Sequence, residues 1–345
     1  MKTRRQFFGT AAASAAGAAA LVAGGAKPSR AADLTINAQS GFPETSLRGR
    51  LETQWAERVG ILTNGRLEIK VHHAGAVVKA FESFDAVLDG VLDIDMTGAS
   101  YQTGKDPAFQ FPGDLMGGYN TTEEFLAWFE FGGGKEISNE LFAEHNMHLV
   151  GLWVAGTESM SSTRPIAGPA DLKGWKFRSP PGMSTEIFSL FGASPIVMPF
   201  TEVFTSLSTG AIEGADAGML NVNSGLGIHD LAKHVTYPGI HSMPTSHVSV
   251  RKDVWDSMDE EMQTAVTVAH KAGQLELVQQ TIIADRKTLS GLPAKGVKVY
   301  DWSLEDRRTF RETAREVWKD WATRSPMAKK MYDSNVAFME TLGLL

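Results

Sequence analysis

From Asp171 to Asp216 apolar and polar positions alternate, then recur at helical spacing, then alternate again. Trp175-Lys176-Phe177-Arg178 has the period of two of a short strand. Ser179-Pro180-Pro181-Gly182 breaks it. Ile187, Phe188 and Leu190 then fall on one side of an amphipathic helix, Pro195 to Met198 reads as a second strand, and Glu202 to Leu207 as a second helix. Strand-helix-strand-helix is the grammar of an α/β lobe. Arg178 stands near the carboxyl end of its strand, where open α/β sheets take ligands. Its planar fork of donors suits a carboxylate held by two parallel hydrogen bonds.

The same grammar runs along the rest of the chain. Leu34 to Ala38 alternates as a strand, and Gly41-Phe42-Pro43-Glu44 is a loop at its end. Such a loop can face a ligand, with Phe42 as an apolar wall and Glu44 as a polar contact; Glu44 suits the N-terminal charge of the next helix equally well. That helix, Ser46 to Thr63, carries Leu47, Leu51, Trp55, Val59 and Leu62 at helical spacing. Small residues, Thr97-Gly98-Ala99-Ser100, end a later strand and admit a ligand to the backbone, with Tyr101 offering its hydroxyl beside them. The chain is expected to cross to a second lobe near Val154 to Ser159 and to return near Met243 to His247. Asp253 to Leu289 is strongly helical, and Ser303-Leu304-Glu305-Asp306 caps a helix whose Phe310, Val317, Trp318 and Trp321 form a core stripe.

An internal echo supports two lobes. Residues 82–93 and 202–213 share the pattern E-x-F-x-x-[VL]-x-x-G-x-[LI]-[DE]. Each copy reads as a helix closed by a left-handed Gly and followed by a strand. The expected division is 32–155 with 244–283 as lobe I, and 156–243 with 284–345 as lobe II, facing one another across a cleft.

Composition narrows the chemistry. Thr3-Arg4-Arg5-Gln6-Phe7-Phe8 is a twin-arginine export signal, followed by a weakly apolar Ala/Gly stretch and a Ser29-x-Ala31 cleavage pattern, which implies a periplasmic protein. Those 31 residues hold five positive charges and no acid, so a chain of net charge −7 leaves −12 on the remainder. Such an acidic chain is a poor partner for nucleic acid. With no cysteine, disulfides, iron–sulfur ligation and thiol nucleophiles are excluded. No G-x-S-x-G elbow and no H-E-x-x-H helix is present, which argues against a secreted hydrolase. His72 and His73 are adjacent and point to opposite faces of a strand, while His145 and His148 lack a third ligand nearby.

The run DLKGWKFRSPPG through IFSLFGASPIVMPFTEVFTSLSTGAIEGAD resembles the periplasmic solute-binding subunits of tripartite ATP-independent (TRAP) transporters, the DctP family. The likeness extends from HHAGAVVKAFESFDAVLDGVLDIDMTGASYQTGKDPAFQF to DSNVAFME, and the first of these is most similar to the branch that binds 2-oxo acids and lactate. The resemblance implies a two-lobed periplasmic binding protein fold with a hinge-spanning helix, cleft closure on a small carboxylate, and docking on membrane permease subunits. It puts the carboxylate on Arg178, with Phe42, Tyr101, Trp153 and Asp216 lining the pocket and Asn221 and His241 as further polar contacts. A zwitterionic or aromatic carboxylate, or a role in ligand sensing, are the alternatives. In the 2-oxo acid branch a sodium or calcium ion bridges protein and ligand. Asp216 matches its acidic ligand, but Ser159 takes the place of a Gln, His241-Ser242-Met243 lacks a Glu, and Ala217 replaces a Trp. Glu158 and Asp216 together put two negative charges beside Arg178, which calls for a bound cation, a basic group on the ligand, or solvent around an outward-pointing Glu158. Members that exchange a C-terminal helix also make a homodimer a possible assembly.

Overall fold

The structure is a computed structural model that describes residues 32–240 and 242–345. The export signal and His241 lie outside the described residues. In chain order, β1 (Leu34–Ser40), α1 (Leu47–Leu62), β2 (Leu67–His72), α2 (Ser83–Leu88), β3 (Ile94–Met96), α3 (Thr122–Phe131), α4 (Gly134–Glu144) and β4 (Met147–Val154) build a first lobe. The second holds β5 (Glu158–Ser162), β6 (Lys176–Ser179), α5 (Met183–Leu190), β7 (Ser194–Val197), α6 (Val203–Ser208), β8 (Gly214–Met219) and β9 (His234–Thr236). β10 (Thr245–Arg251) returns to the first sheet, and α7 (Glu260–Gly291) runs along both lobes. β11 (Lys298–Tyr300), α8 (Leu304–Ala322) and α9 (Pro326–Thr341) complete the chain.

The first sheet has the order β2-β1-β3-β10-β4 and the second β11-β9-β5-β8-β6-β7. β1 lies parallel between β2 and β3, while β10 runs antiparallel between β3 and β4. In the second sheet β6 lies parallel between β7 and β8, with β5 antiparallel between β8 and β9. Two short connections between the sheets run from Val154 to Glu158 and from Thr236 to Thr245, and a third passes from β10 through α7 to β11. β5 and β9 were not legible as strands in the sequence, because Glu-Ser-Met-Ser-Ser has no β-branched residue and His-Val-Thr is too short to show an alternation. β7 is an edge strand, the place where Pro195 can sit without breaking a ladder.

Both copies of the repeated pattern adopt one structure. A single 3-10 turn leads into α2 and α6 respectively; Gly90 (φ 76°) and Gly210 (φ 69°) close them; and β3 and β8 follow. The helices start and pack as their residues dictate. The Ser46 hydroxyl accepts from the Gly49 amide at 2.9 Å and caps α1. Leu51, Trp55 and Val59 of that helix are buried, whereas Leu62, expected on the same stripe, is 48% exposed. Thr121 and Glu124 form a capping box on α3. In α5 Ile187 and Phe188 are buried but Leu190 points outward. Each large apolar side chain fully removed from water contributes about 1.5–3 kcal/mol, and Trp55, Trp128, Trp175 and Trp318 all reach that state.

Two polar staples hold α7 to both lobes. The Gln274 amide bonds the backbone N–H and C=O of Val154 at 2.9 and 2.8 Å. About three turns further along the helix, Asp285 accepts from the backbone and side-chain nitrogens of Asn221 at 2.7 and 2.6 Å. The final helix departs from the sequence-based division. α9, expected with the second lobe, packs on α8 and also on α4 of the first lobe. Its buried Asn335 and half-buried Ser334 explain the choice, since they receive the Tyr119 hydroxyl and the Trp128 indole N–H, each at 3.0 Å.

Candidate functional site

A cavity of about 100 Å³ lies between the two sheets, bordered by Phe42, Arg48, Gly98 and Tyr101 from one lobe and Glu158, Arg178, Phe200 and Gly218 from the other. At about 30 Å³ per water in the liquid, that is the room of roughly three waters, enough for a small organic acid.

Arg178 enters from β6. Phe177 faces the core and stacks on Trp175 at 4.2 Å, so the alternation of the strand sends Arg178 to the opposite side. The strand ends at the Pro180-Pro181-Gly182 break, beside the cavity. The guanidinium is 3% exposed. Its Nε donates to the Met198 carbonyl at 3.1 Å and its Nη1 to the Asp216 carbonyl at 2.7 Å. Both partners are neutral, so the positive charge is positioned without an ion pair and three of the five N–H donors stay available.

A chain of carboxyls runs past it. Ser242 Oγ bridges Asp114 Oδ2 at 2.6 Å and Glu158 Oε2 at 3.0 Å. Met243 N–H donates to Asp114 Oδ1 at 3.1 Å, and Gly218 N–H to Glu158 Oε1. Asp216 stands against Glu158, close enough for the two carboxyls to share a proton, and neither of its oxygens accepts a bond from any other described group. Burial pushes Asp114 up to about 7, helped by the charge of Glu158. Burial also raises Glu158, against the pull of Arg178. Asp216 rises well above the usual carboxylate range through burial and the charges of Glu158 and Asp114. Burial and mutual repulsion thus oppose three anions standing together beside one cation.

The opposite wall is aromatic. Phe42 of the first lobe and Phe200 of the second have ring centroids 6.3 Å apart, and Tyr101 packs edge-on against Phe81 at 4.7 Å. At Gly98 a Cβ would come within 3.2 Å of the Tyr101 ring, so this position must be small. Beside Phe42 lies a second buried guanidinium, Arg48, which bonds Glu52 Oε1 through Nε at 2.5 Å.

Of the residues singled out from sequence, Phe42, Tyr101, Glu158 and Arg178 border this cavity. Asp216 lies directly behind Arg178 and Glu158 without reaching it. Trp153 is a step further back, against Arg48. Ser159 is turned to Asn223 and the Gly218 carbonyl, Asn221 to Asp285, and Glu44 is exposed in a separate groove. Glu158 points inward, which removes the solvent-facing alternative. Sequence reading missed Arg48, Asp114 and Ser242. Two of them left a trace: Arg48 and Glu52 occupy the same helical face as Trp55 and Val59, and Asp114 is a lone acid within Phe109 to Met116. A charge at a core position is the mark of a built site.

A ligand-bridging cation needs oxygens that converge on one point. Among the described residues no group of three His, Cys, Asp or Glu side chains does so. The Met243 and Gly218 amides occupy one oxygen each of Asp114 and Glu158, the single Ser242 proton lies between their other two, and Asp216 does not border the cavity. These residues do not fit a cation shared between protein and ligand.

Residues 39–324 match the family described as bacterial extracellular solute-binding protein, family 7. The chain is 27% identical over 325 residues to a monocarboxylate 2-oxoacid-binding periplasmic protein of Nostoc sp., covering 89% of this chain and 88% of that one. Among solved structures, a TRAP periplasmic solute-binding protein from Rhodobacter sphaeroides in an apo open state is 36% identical, with a TM-score of 0.74 over 90% of this chain and 99% of that one. A TRAP transporter solute-binding protein from Bordetella bronchiseptica, a dimer with calcium and picolinate in one active site, is 22% identical with a TM-score of 0.84 over 91% and 94%.

Proposed function

The chain belongs to the family 7 bacterial extracellular solute-binding proteins, those of TRAP transporters, and on that premise we propose that it captures a small organic carboxylate in the cleft between its lobes. The observation that carries this reading is Arg178: a buried guanidinium at the cavity wall, aimed by two neutral carbonyls, with its charge not consumed by an ion pair. A 2-oxo or 2-hydroxy monocarboxylate, or a C4 dicarboxylate, matches the cavity in size. The ligand's carboxylate takes the free donors of Arg178, and its body lies between Phe42, Tyr101 and Phe200.

The wall of Asp114 and Glu158 favours a ligand that also carries a donor, a hydroxyl or an ammonium, next to its carboxylate. A zwitterion is therefore the second reading. Closure is the mechanism: a ligand that bridges both lobes binds the closed state alone and shifts the population toward it. The closed protein then presents the solute to the membrane permease of its transporter, in the periplasm. No step of this sequence makes or breaks a covalent bond.

A thermal-shift and calorimetry panel of three- to nine-carbon acids at pH 7 tests the proposal. Binding of at least one acid, lost on Arg178→Met, is expected. Equal binding by the variant would show that the carboxylate lies elsewhere.

A further inference from the structure

The carboxylate reading leaves one buried cation at the cavity without a task. Arg48 stands in the first turn of α1, is 3% exposed, and borders the cavity. Three features disfavour a guanidinium there. The positive end of a helix dipole repels it; burial strips its water and lowers its pKa; and its Nη2 is buried with no hydrogen-bond partner. What holds it is equally specific. Nε is fixed by Glu52, whose other oxygen accepts from Ser40. The guanidinium carbon lies 5.2 Å from the Phe42 ring centroid and 4.8 Å from that of Trp153, caught between two aromatic faces. A side chain clamped on three sides, with its Nη2 unpaired and its guanidinium bordering a cavity, is pre-organised for an acceptor that arrives with a ligand.

We propose that Arg48 is a second ligand-contacting residue, whose free Nη2 receives an uncharged oxygen acceptor, a ketone, hydroxyl or amide carbonyl, at the end of the ligand remote from Arg178. The inference rests on the carboxylate reading of Arg178. The acceptor is uncharged because Glu52 already neutralises Arg48, while the nearby wall carries Asp114 and Glu158. A second carboxylate would enter this pole with no counter-charge. The ligand is then a monocarboxylate with a neutral acceptor several bonds from its carboxyl group, and the two guanidiniums, one on each lobe, read its two ends.

Matched acids test this by calorimetry on the mature protein at pH 7. One set is pentanoate, 4-oxopentanoate and butanedioate; the other is one carbon longer, hexanoate, 5-oxohexanoate and pentanedioate. In at least one set the keto acid should bind about tenfold or more tighter than both companions, the worth of one hydrogen bond to a charged donor. The keto-to-alkyl ratio should fall to about one in Arg48→Lys, which keeps a charge for Glu52 but loses the fork. Should that variant fail to fold, the double variant Arg48→Met/Glu52→Met removes both charges and reads the same ratio. A diacid that binds tightest, an absent keto preference, or a preference that survives in the folded variants overturns the inference while leaving the carboxylate reading intact. If no acid binds the wild-type protein, the reading beneath it falls too.

Discussion

Gln39 and Arg178 hold the same place in two copies of one framework. Each lies on the central parallel strand of its sheet, β1 or β6. Each donates to the carbonyl four residues before the Glu of the repeated pattern: Gln39 Nε2 to Val78 at 2.8 Å, Arg178 Nε to Met198 at 3.1 Å. Two residues earlier on each strand, the carbonyls of Asn37 and Lys176 accept from the amides of Asp93 and Glu213 at 2.8 and 2.7 Å. The difference lies in what remains. Gln39 Oε1 accepts from the amides of Val77 and Val78, which engages both ends of its side chain. Arg178 makes the same anchoring bond and keeps donors and a charge to spare.

Arg178→Gln therefore installs the first lobe's own solution in the second. The fold should survive, since the Met198 carbonyl can keep its donor. Affinity for a carboxylate should fall by about 3 kcal/mol, roughly a hundredfold, with the loss of a charged hydrogen-bond pair. Calorimetry on a binding acid, with a melting curve as the folding control, decides this; retained affinity at an unchanged melting temperature would remove Arg178 from the site.

Asp114 makes stability depend on pH in an unusual direction. Its folded-state value of about 7 lies above the 3.8 of an exposed carboxyl. Between those values the folded protein keeps a proton that the unfolded chain has released, so stability falls as pH rises from about 4 to 7 and stays lost above. Glu158 and Asp216 are raised and act in the same sense. Three histidines oppose them: half-buried His148 and buried His229 are depressed to about 4 and buried His270 to about 3, so they erode stability as pH falls below about 6.5. Asp114→Asn keeps the bonds to Ser242 and Met243 without the proton. Its melting temperature should exceed wild type at pH 8, by about 2–4 °C per kcal/mol recovered, and by well under half as much near pH 5, where the loss has only begun. A gain of equal size at both pH values would show that Asp114 is not the titrating group.

Gly273 should resist the rule that alanine stabilises helices. In an exposed helix Gly→Ala gains about 1 kcal/mol. Here a Cβ would meet Trp153 Cη2 at 2.6 Å and Cζ3 at 3.1 Å, with the crowded ring backed by Arg48. Gly273→Ala should cost about 1–3 kcal/mol as an overpacked core. Gly291→Ala, at the end of the same helix with nothing within 4 Å, is the control and should be neutral or stabilising. Urea midpoints of the two variants should move in opposite directions; a stabilised Gly273→Ala would mean that Trp153 yields freely.

The sequence made most of the α/β framework legible because its apolar spacing is strong wherever an element is half-buried, as in α1 and β6. The repeated pattern at 82–93 and 202–213 reported a true structural duplication, since both copies must turn through a left-handed Gly into a strand. Elements whose burial comes from being inside a sheet rather than on one face left little pattern, and β5 with its four polar residues around Met160 is the case in point. The cavity was half-legible for a similar reason. Arg178 stands out beside a strand end, whereas Arg48 and Asp114 hide among ordinary charges until their neighbours in space are known. Asn221 and Ser159 carry the right chemistry for a ligand, yet local geometry turned them to Asp285 and Asn223.

Closure itself can be tested through Phe200. Its ring meets Phe42 at 6.3 Å, a contact between one lobe and the other at the cavity wall. An aromatic pair contributes about 0.5–1.5 kcal/mol beyond the area it buries, and here that energy exists only while the lobes are together. Phe200→Ala should therefore destabilise the closed state and leave the association step almost unaltered. The expected result is a dissociation rate raised by about three- to tenfold at nearly constant on-rate, read by stopped-flow fluorescence with any acid that the wild-type protein binds. A variant whose dissociation rate equals wild type would place the energy of closure in the ligand alone, with the two rings contributing nothing to holding the cleft shut.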